Sequence, residues 1–364
     1  MTENEKTISL DKLRVGMVVA KDITDPATGK VLIAAGKILD FESIDTLKEF
    51  YFSGLYSDGD FSEPNFSEPD FSEEAEKRLS DDEKAVFGSF KNAYSKSYQN
   101  VKGQLDSIIQ AKSCDLDALT GTVEEIYSTT RYNSDIFFYL NYLKVRNLFL
   151  IDHIMSVALI CRVFAEWLEL PEEETRELLN AAMLHDVGME QVAHLFMKPE
   201  PLTNDELSQI KLHPLYSYNK IKNLDVSKNV KDAVLQHHER IDGSGYPSGL
   251  QDEEINRLSK ILSVADVFAA MIFDRPYRAK LVPFNTLRIL EREQFGKLDT
   301  ECLLVFLRNI AYEYINRSAK LSDGRFGKIV FINGQQPSAP IVRLDTGGCV
   351  DLLSDKSVTI AEVF

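Results

Sequence analysis

Residues 235–247 read LQHHERIDGSGYP. They join a helix end, a pair of imidazoles and a glycine-rich turn, and the rest of the chain is best read outward from them. The residues before them have helical apolar spacing over 226–238, so His237 and His238 stand at the close of a helix. All six histidines of the chain fall between positions 153 and 238, and five of them form one pattern. They are His153 in an apolar helical run, His185 beside Asp186 in LLNAAMLHDVGM, His213 in IKLHP, and the pair itself; Asp266 in ILSVADVF completes the set. Successive groups are separated by 32, 27, 24 and 28 residues, about one antiparallel helix plus its turn. Several helices thus bring imidazoles and carboxylates into one bundle core, and the fold class that follows is mainly α.

Taken singly, a buried His or Asp is an ordinary hydrogen-bonded core group. Seven together, with no thiolate among them, form a nitrogen and oxygen donor set that suits iron, manganese, nickel or zinc. It exceeds what one ion takes from protein while leaving positions for water and substrate. Two ions are the economical answer. Asp186 has two carboxylate oxygens and can bridge the ions at about 3.5–4 Å, the spacing of two-metal hydrolytic sites. In the DGSG turn two glycines permit positive φ and close backbone approach, while Tyr246 offers an aromatic face and a hydroxyl beside the histidine pair. A nucleobase or phosphate fits such a loop, although the same composition alone marks only a turn. The segment DRPYRAK puts Arg275, Arg278 and Lys280 one short loop beyond the Asp266 helix. They are either a clamp for phosphate oxygens or solvated surface charge.

The 364 residues carry 41 Lys and Arg against 57 Asp and Glu, a net charge of −16. That balance disfavours nucleic acid polymers and anionic membranes, and an anionic substrate needs a local basic patch. Four cysteines without a CxxC pair fit reduced thiols in a cytosol. The start MTENEKTISL shows no signal peptide, and the most apolar stretch, 148–161, contains Asp152 and His153 and is too short for a membrane span. A cytoplasmic location is expected.

The chain divides into a small β-containing module (1–57), an acidic linker (58–83), a helical domain (84–320) and a C-terminal β element (321–364). The module reads VGMVVAKDI and KVLIAAG as strands and DFESIDTLKEFY as a helix. In the linker Phe61, Phe66 and Phe71 recur every five residues among eleven acids and two bases, which predicts a solvated segment, with docking of the phenylalanines on a partner as the alternative. Phe87, Phe90, Tyr94, Tyr98, Val101, Leu105 and Ile108 make one helical stripe, a packing face or a dimer face. Helices are also predicted over 115–130, 135–168 and 257–272. Pro171 before three glutamates predicts a helix start. Thr203 with Glu206 predicts a capping box opening a helix through His213. GKIVFING and PIVRLD predict the C-terminal strands.

In residue type and order, H…HD…H…HHExxDGxGYP…D, followed by VADVFAAMIFDRPYR, resembles the HD-GYP subclass of the HD-domain metal-dependent phosphohydrolases over roughly residues 84–320. LRVGMVVAKDI and GKVLIAAG are similar to the small domain that often precedes it. Members of that subclass degrade the bacterial second messenger cyclic di-GMP. The resemblance implies an HD-type helical-bundle core around two divalent ions, iron or manganese. It implies that His153, His185, Asp186 and Asp266 hold one ion, that Asp186, His213, His237 and His238 hold the other, and that a hydroxide at the metals is the nucleophile. Tyr246, Gly245, Arg275 and Arg278 would contact the ligand.

Two departures from the family pattern carry consequences. Some members hold a third metal through a glutamate four residues before the first histidine; here that residue is Phe149, so two ions are expected. The family's HDxGK is HDVGM here, with Met189 in place of the lysine. Losing one cation at a developing phosphorane costs on the order of 10²–10³ in rate, by analogy with an oxyanion-hole donor. The function expected is hydrolysis of cyclic di-GMP to linear pGpG, with GMP as a further product. The alternatives are a mixed cyclic GMP-AMP as substrate and, because of Met189, a receptor that binds the nucleotide without turnover. Diguanylate cyclase (GGDEF) domains, other signalling proteins and a second copy of the chain are the partners these readings carry. His194 is read as a structural or surface residue.

Overall fold

A computed structural model of the chain describes residues 7–8, 18–19, 22–24, 31–35, 37, 56–57, 61–62, 69–71, 79–144, 149–196, 202–272 and 282–364. They divide into two units: Met1–Glu68 with Arg146–Leu148 and Val192–Thr203, and Pro69–Val145 with Phe149–Gln191 and Asn204–Phe364. In the first unit, β1 (Thr7–Ile8) pairs with β5 (Tyr56–Ser57), β2 (Val18–Val19) with β6 (Phe61–Ser62), and β3 (Ile23–Thr24) with β4 (Val31–Ile33), all antiparallel. The β2 and β4 strands fall within the two predicted strand runs and β3 starts at the last residue of the first, with Val19, Ile23 and Ile33 buried. The helix predicted over 40–51 lies outside the described residues.

The second unit contains the metal-type residues. Ser80 starts its first helix by a reciprocal cap: the Glu83 amide donates to the Ser80 hydroxyl at 3.4 Å, and the Ser80 amide donates to the Glu83 carboxylate at 2.9 Å. Helix α1 (Asp81–Ile109) buries the whole predicted stripe from Phe87 to Ile108. It does so inside the chain, against α2 (Leu116–Tyr127), α3 (Asn133–Asn141) and α4 (Phe149–Trp167), so the stripe is a packing face and offers nothing to a second copy. Phe71 joins it. Lying in β7 (Asp70–Phe71), which pairs with β8 (Leu143–Lys144), it meets the rings of Phe87, Phe90 and Tyr94 edge-on at 5.5, 6.0 and 5.8 Å. Phe71 is thus a core residue; edge-to-face aromatic contacts hold it in spite of its acidic neighbours.

Helix α4 is buried almost all round, with Asp152, His153 and Ser156 as the polar residues among its buried side chains. A helix apolar on every side belongs at the centre of a bundle. Around it pack α5 (Glu172–Leu184) and α9 (Arg257–Ile272), and α8 (Lys228–Gln236) packs on both of these. The predicted helix 135–168 is interrupted between α3 and α4, where β8 intervenes. The predicted helix through His213 is two helices, α6 (Asn204–Ile210) and α7 (His213–Ile221), separated by a turn at Lys211 and Leu212. Pro214 explains the break: it has no amide hydrogen to continue α6 and a fixed φ suited to a first turn.

The C-terminal region exceeds its sequence reading. After α10 (Pro283–Ile289) and α11 (Thr300–Tyr312) it forms an antiparallel sheet of order β12-β11-β10-β9-β13. The strands are β9 (Ser318–Leu321), β10 (Phe326–Phe331), β11 (Ile341–Leu344), β12 (Cys349–Asp351) and β13 (Ile360–Val363). Arg317 ties its start to the helices, with Glu83 at 3.6 Å, Asp135 at 3.8 Å and the Phe138 ring centroid at 4.8 Å.

Candidate metal centre

Three of the histidines are placed by one local device. The last carbonyls of a helix have no amide partner within it, and an imidazole just beyond can donate to one of them. His185 ends α5 and its Nδ1 lies 2.7 Å from the Ala182 carbonyl oxygen; His237 ends α8 with Nδ1 2.8 Å from that of Val234. His213, just after α6, has Nδ1 2.8 Å from the Ile210 oxygen. A carbonyl only accepts, so each Nδ1 carries a proton and, in the neutral ring, each Nε2 presents a lone pair.

Those lone pairs converge on Asp186. His213 Nε2 lies 3.1 Å and His237 Nε2 3.7 Å from Asp186 Oδ1, while His185 Nε2 and His153 Nε2 lie 3.4 and 3.6 Å from Oδ2. His153 Nε2 is also 3.0 Å from Asp266 Oδ1, and His238 Nδ1 is 3.7 Å from Asp266 Oδ2. Two triads have ligand atoms within 4.8 Å of one another, His153–His185–Asp186 and His213–His237–His238. All seven predicted ligands are therefore in one cluster, supplied by α4, the end of α5, the start of α7, the end of α8, and α9.

The electrostatics are compatible with a bound cation. Burial works against ionisation of Asp186, but His185 and His213 outweigh it and hold the carboxyl well below its usual range. Asp266 behaves likewise, with burial overcome by His153 and His238. Burial also opposes charge on His185, yet Asp186 and Asp266 carry its pKa up to about 9. His237 and His238 are pushed down, first by burial and then by neighbouring imidazoles. The His185 Nε2 and Asp186 Oδ1 atoms are buried without a hydrogen-bond partner, an arrangement costly unless something positive lies between them. The donor set is compatible with a divalent metal centre.

The loop after His238 closes over this cluster by means the sequence reading did not single out. Glu239 is buried, and its carboxylate accepts from Ser248 N at 2.7 Å and Leu250 N at 3.0 Å. It pins the GYP turn from below; a carboxylate flush against a glycine-rich loop was the available signal. Tyr246 lies with its ring stacked on His238, centroids 4.7 Å apart. Gly245 sits where a Cβ would come within 2.4 Å of the Arg240 nitrogen, so its want of a side chain serves loop packing. Gly188 does the same after Asp186: a Cβ there would lie 2.2 Å from Ser217 N, and its amide donates to the Ser217 hydroxyl at 2.9 Å. Ser263, on α9, donates to the His237 carbonyl. Met189 is half-buried in the turn following Asp186. Arg275, Arg278 and Lys280 lie outside the described residues, and His194 belongs to the first unit.

Comparison with known proteins agrees with this geometry. A family model described as HD domain matches residues 139–302. A cyclic di-GMP phosphodiesterase of Pseudomonas aeruginosa is 30% identical over 224 residues, covering 61% of this chain and 54% of the relative. A cyclic di-GMP phosphodiesterase response regulator of Xanthomonas campestris pv. campestris is 37% identical over 156 residues, 42% of this chain and 41% of the relative. A 3'3'-cGAMP-specific phosphodiesterase of Vibrio cholerae is 32% identical over 151 residues, 41% of this chain and 33% of the relative. The chain spans about half the length of the first curated relatives it matches. Among solved structures, an HDG"Y"P protein from Bdellovibrio bacteriovorus shares the fold at a TM-score of 0.50 and 17% identity, over 83% of this chain and 97% of that one.

Proposed function

We propose, for a chain that an HD-domain family model matches over residues 139–302, that it is a two-metal phosphodiesterase of the HD-GYP kind opening cyclic di-GMP to linear pGpG. The observation that carries this reading is the cluster of lone pairs around Asp186, with His213 Nε2 at 3.1 Å and His185 Nε2 at 3.4 Å. His153, His185, Asp186 and Asp266 hold one ion and Asp186, His213, His237 and His238 the other. Iron or manganese suits these nitrogen and oxygen donors. When bound, such ions lower the pKa of water and neutralise the non-bridging oxygens of a phosphate diester.

The chain's own residues do the rest. The Nδ1 bonds of His185, His213 and His237 to helix carbonyls fix each ring, so its lone pair is aimed before any ion arrives. Asp186 turns one oxygen toward each triad. Glu239 holds the turn that presents Tyr246 beside His238, where its ring and hydroxyl meet a base. Arg275 and Arg278 grip phosphate oxygens and orient the bond to be broken. Water adds to phosphorus in line and the 3′ oxygen leaves. Further cleavage yields GMP. A diguanylate cyclase domain, which makes this substrate, is the partner class the reading carries, and the cytoplasm is its location.

Two observations each favour a second reading. Relatives named as 3'3'-cGAMP-specific lie among those matched, so a mixed cyclic GMP-AMP is the alternative substrate. Met189 supplies no cation where the family has lysine, so a receptor without useful turnover is the alternative role. One experiment separates them: anaerobic turnover by Fe(II)- or Mn(II)-loaded protein on cyclic di-GMP and on 3'3'-cGAMP, with a His185→Ala, Asp186→Ala control. Linear product beyond one equivalent, absent in the control, supports the enzyme and its rate order names the substrate. Saturable binding without product supports the receptor.

A further inference from the structure

A substrate with two phosphates entering a chain of net charge −16 needs cations that are not already neutralised. Most basic groups of the described residues near the cluster are committed. Lys220 donates to the Ile109 carbonyl at 2.9 Å and lies 3.8 Å from the Glu190 carboxylate. Arg240 donates to the Glu239 carbonyl at 2.8 Å and the His237 carbonyl at 3.4 Å. Lys260 pairs with Asp252 at 2.6 Å and Asp299 at 3.5 Å.

Lys211 differs from these. It occupies the turn between α6 and α7, two residues before His213, where its amide donates to the Leu207 carbonyl at 3.0 Å. Its side chain is exposed, no carboxylate among the described residues pairs with it, and its ammonium lies 5.7 Å from the centroid of the Tyr246 ring. That ring in turn stacks on His238 at 4.7 Å. A loose cation–aromatic contact holds an ammonium at the rim of the cluster without neutralising it. The backbone beneath is fixed by the helix break that also places His213.

We propose that Lys211 is a phosphate-binding residue of this site, engaging the phosphate of a cyclic dinucleotide that is not being cleaved. Six of the seven residues of the cluster are buried and His238 is half-buried, whereas Lys211 is exposed, so its ammonium meets the part of the substrate standing off the ions. Tyr246 between them takes a base. This assignment rests on the reading of the site as a cyclic-dinucleotide phosphodiesterase and adds to it a determinant of substrate affinity.

The test compares metal-loaded full-length wild type, Lys211→Ala and Lys211→Arg on cyclic di-GMP, with bound metal measured for each. The expected result is a rise in KM of about ten-fold or more for Lys211→Ala, with kcat within about three-fold and metal content unchanged. Lys211→Arg returns KM to within about three-fold of wild type, and added salt raises KM more for wild type than for Lys211→Ala. If wild type binds without turnover, the dissociation constant replaces KM and the same ratios apply. A KM or dissociation constant unchanged in Lys211→Ala, an arginine variant as weak as alanine, or loss of metal from Lys211→Ala overturns the assignment. A wild type that neither hydrolyses nor binds the nucleotide overturns the phosphodiesterase reading and this one with it; unchanged affinity in the variant beside a working wild type overturns this one alone.

Discussion

His213 Nε2 and Asp186 Oδ1 face each other at 3.1 Å. The imidazole has committed Nδ1 to the Ile210 carbonyl, so Nε2 is the atom it turns toward the carboxyl, which its histidine neighbours hold ionised. A ring nitrogen and a carboxylate oxygen so placed can share a cation between them.

Replacing Asp186 by asparagine keeps the shape and removes the charge that both triads share. We expect bound metal to fall below one ion per chain and phosphodiester hydrolysis to fall by more than about a hundred-fold. Metal analysis of the purified variant beside product chromatography checks both.

Metal binding should release protons near neutral pH. In the metal-free protein His185 has its pKa raised to about 9, burial being outweighed by Asp186 and Asp266. A raised imidazole pKa stabilises the metal-free fold below the unfolded value of about 6.5, and that contribution is lost as pH climbs through 9. An ion needs the neutral ring, so its affinity should increase as pH rises from about 6.5 toward 9 and level off above. Titration calorimetry in two buffers of different ionisation heat should show proton release near pH 7 and none above about pH 10.

Glu239→Ala removes the acceptor of two loop amides, Ser248 N and Leu250 N. Leaving them unsatisfied costs about 1–3 kcal/mol. The Tyr246 loop should loosen, raising KM more than it lowers kcat, with metal content preserved because Glu239 is no part of either triad. Denaturant unfolding and steady-state kinetics on one preparation decide this; loss of metal would show that Glu239 acts on the histidines instead.

Met189→Lys restores the cation of the family pattern. The expected gain in kcat/KM on cyclic di-GMP is about ten-fold, below the full value of a preorganised donor because the surrounding turn is built for methionine. An unchanged rate would mean that position 189 does not face the developing charge.

Much of the site was legible before the structure because its chemistry is written in residue types. Seven imidazoles and carboxylates at helix-plus-turn intervals have few other uses, and all seven meet in one cluster. The residues that support them were harder to see. Glu239 reads as a surface acid until the loop folds back on it. Lys211 reads as one of many lysines until the break at Pro214 sets it beside Tyr246. Phe71 reads as part of a charged, solvated run until α1 and β8 surround it.

The sequence by itself determined the bundle class and singled out the seven residues that meet in one cluster. Those follow from periodicity and donor chemistry, which are written in residue types and short spacings. Tertiary structure alone decided which lone pairs oppose each other, which glycines are required by a neighbouring backbone, and which charges remain unneutralised. These depend on the approach of segments distant in sequence, such as Gly188 against Ser217 or His153 against Asp266, and local propensity does not encode distances of that kind.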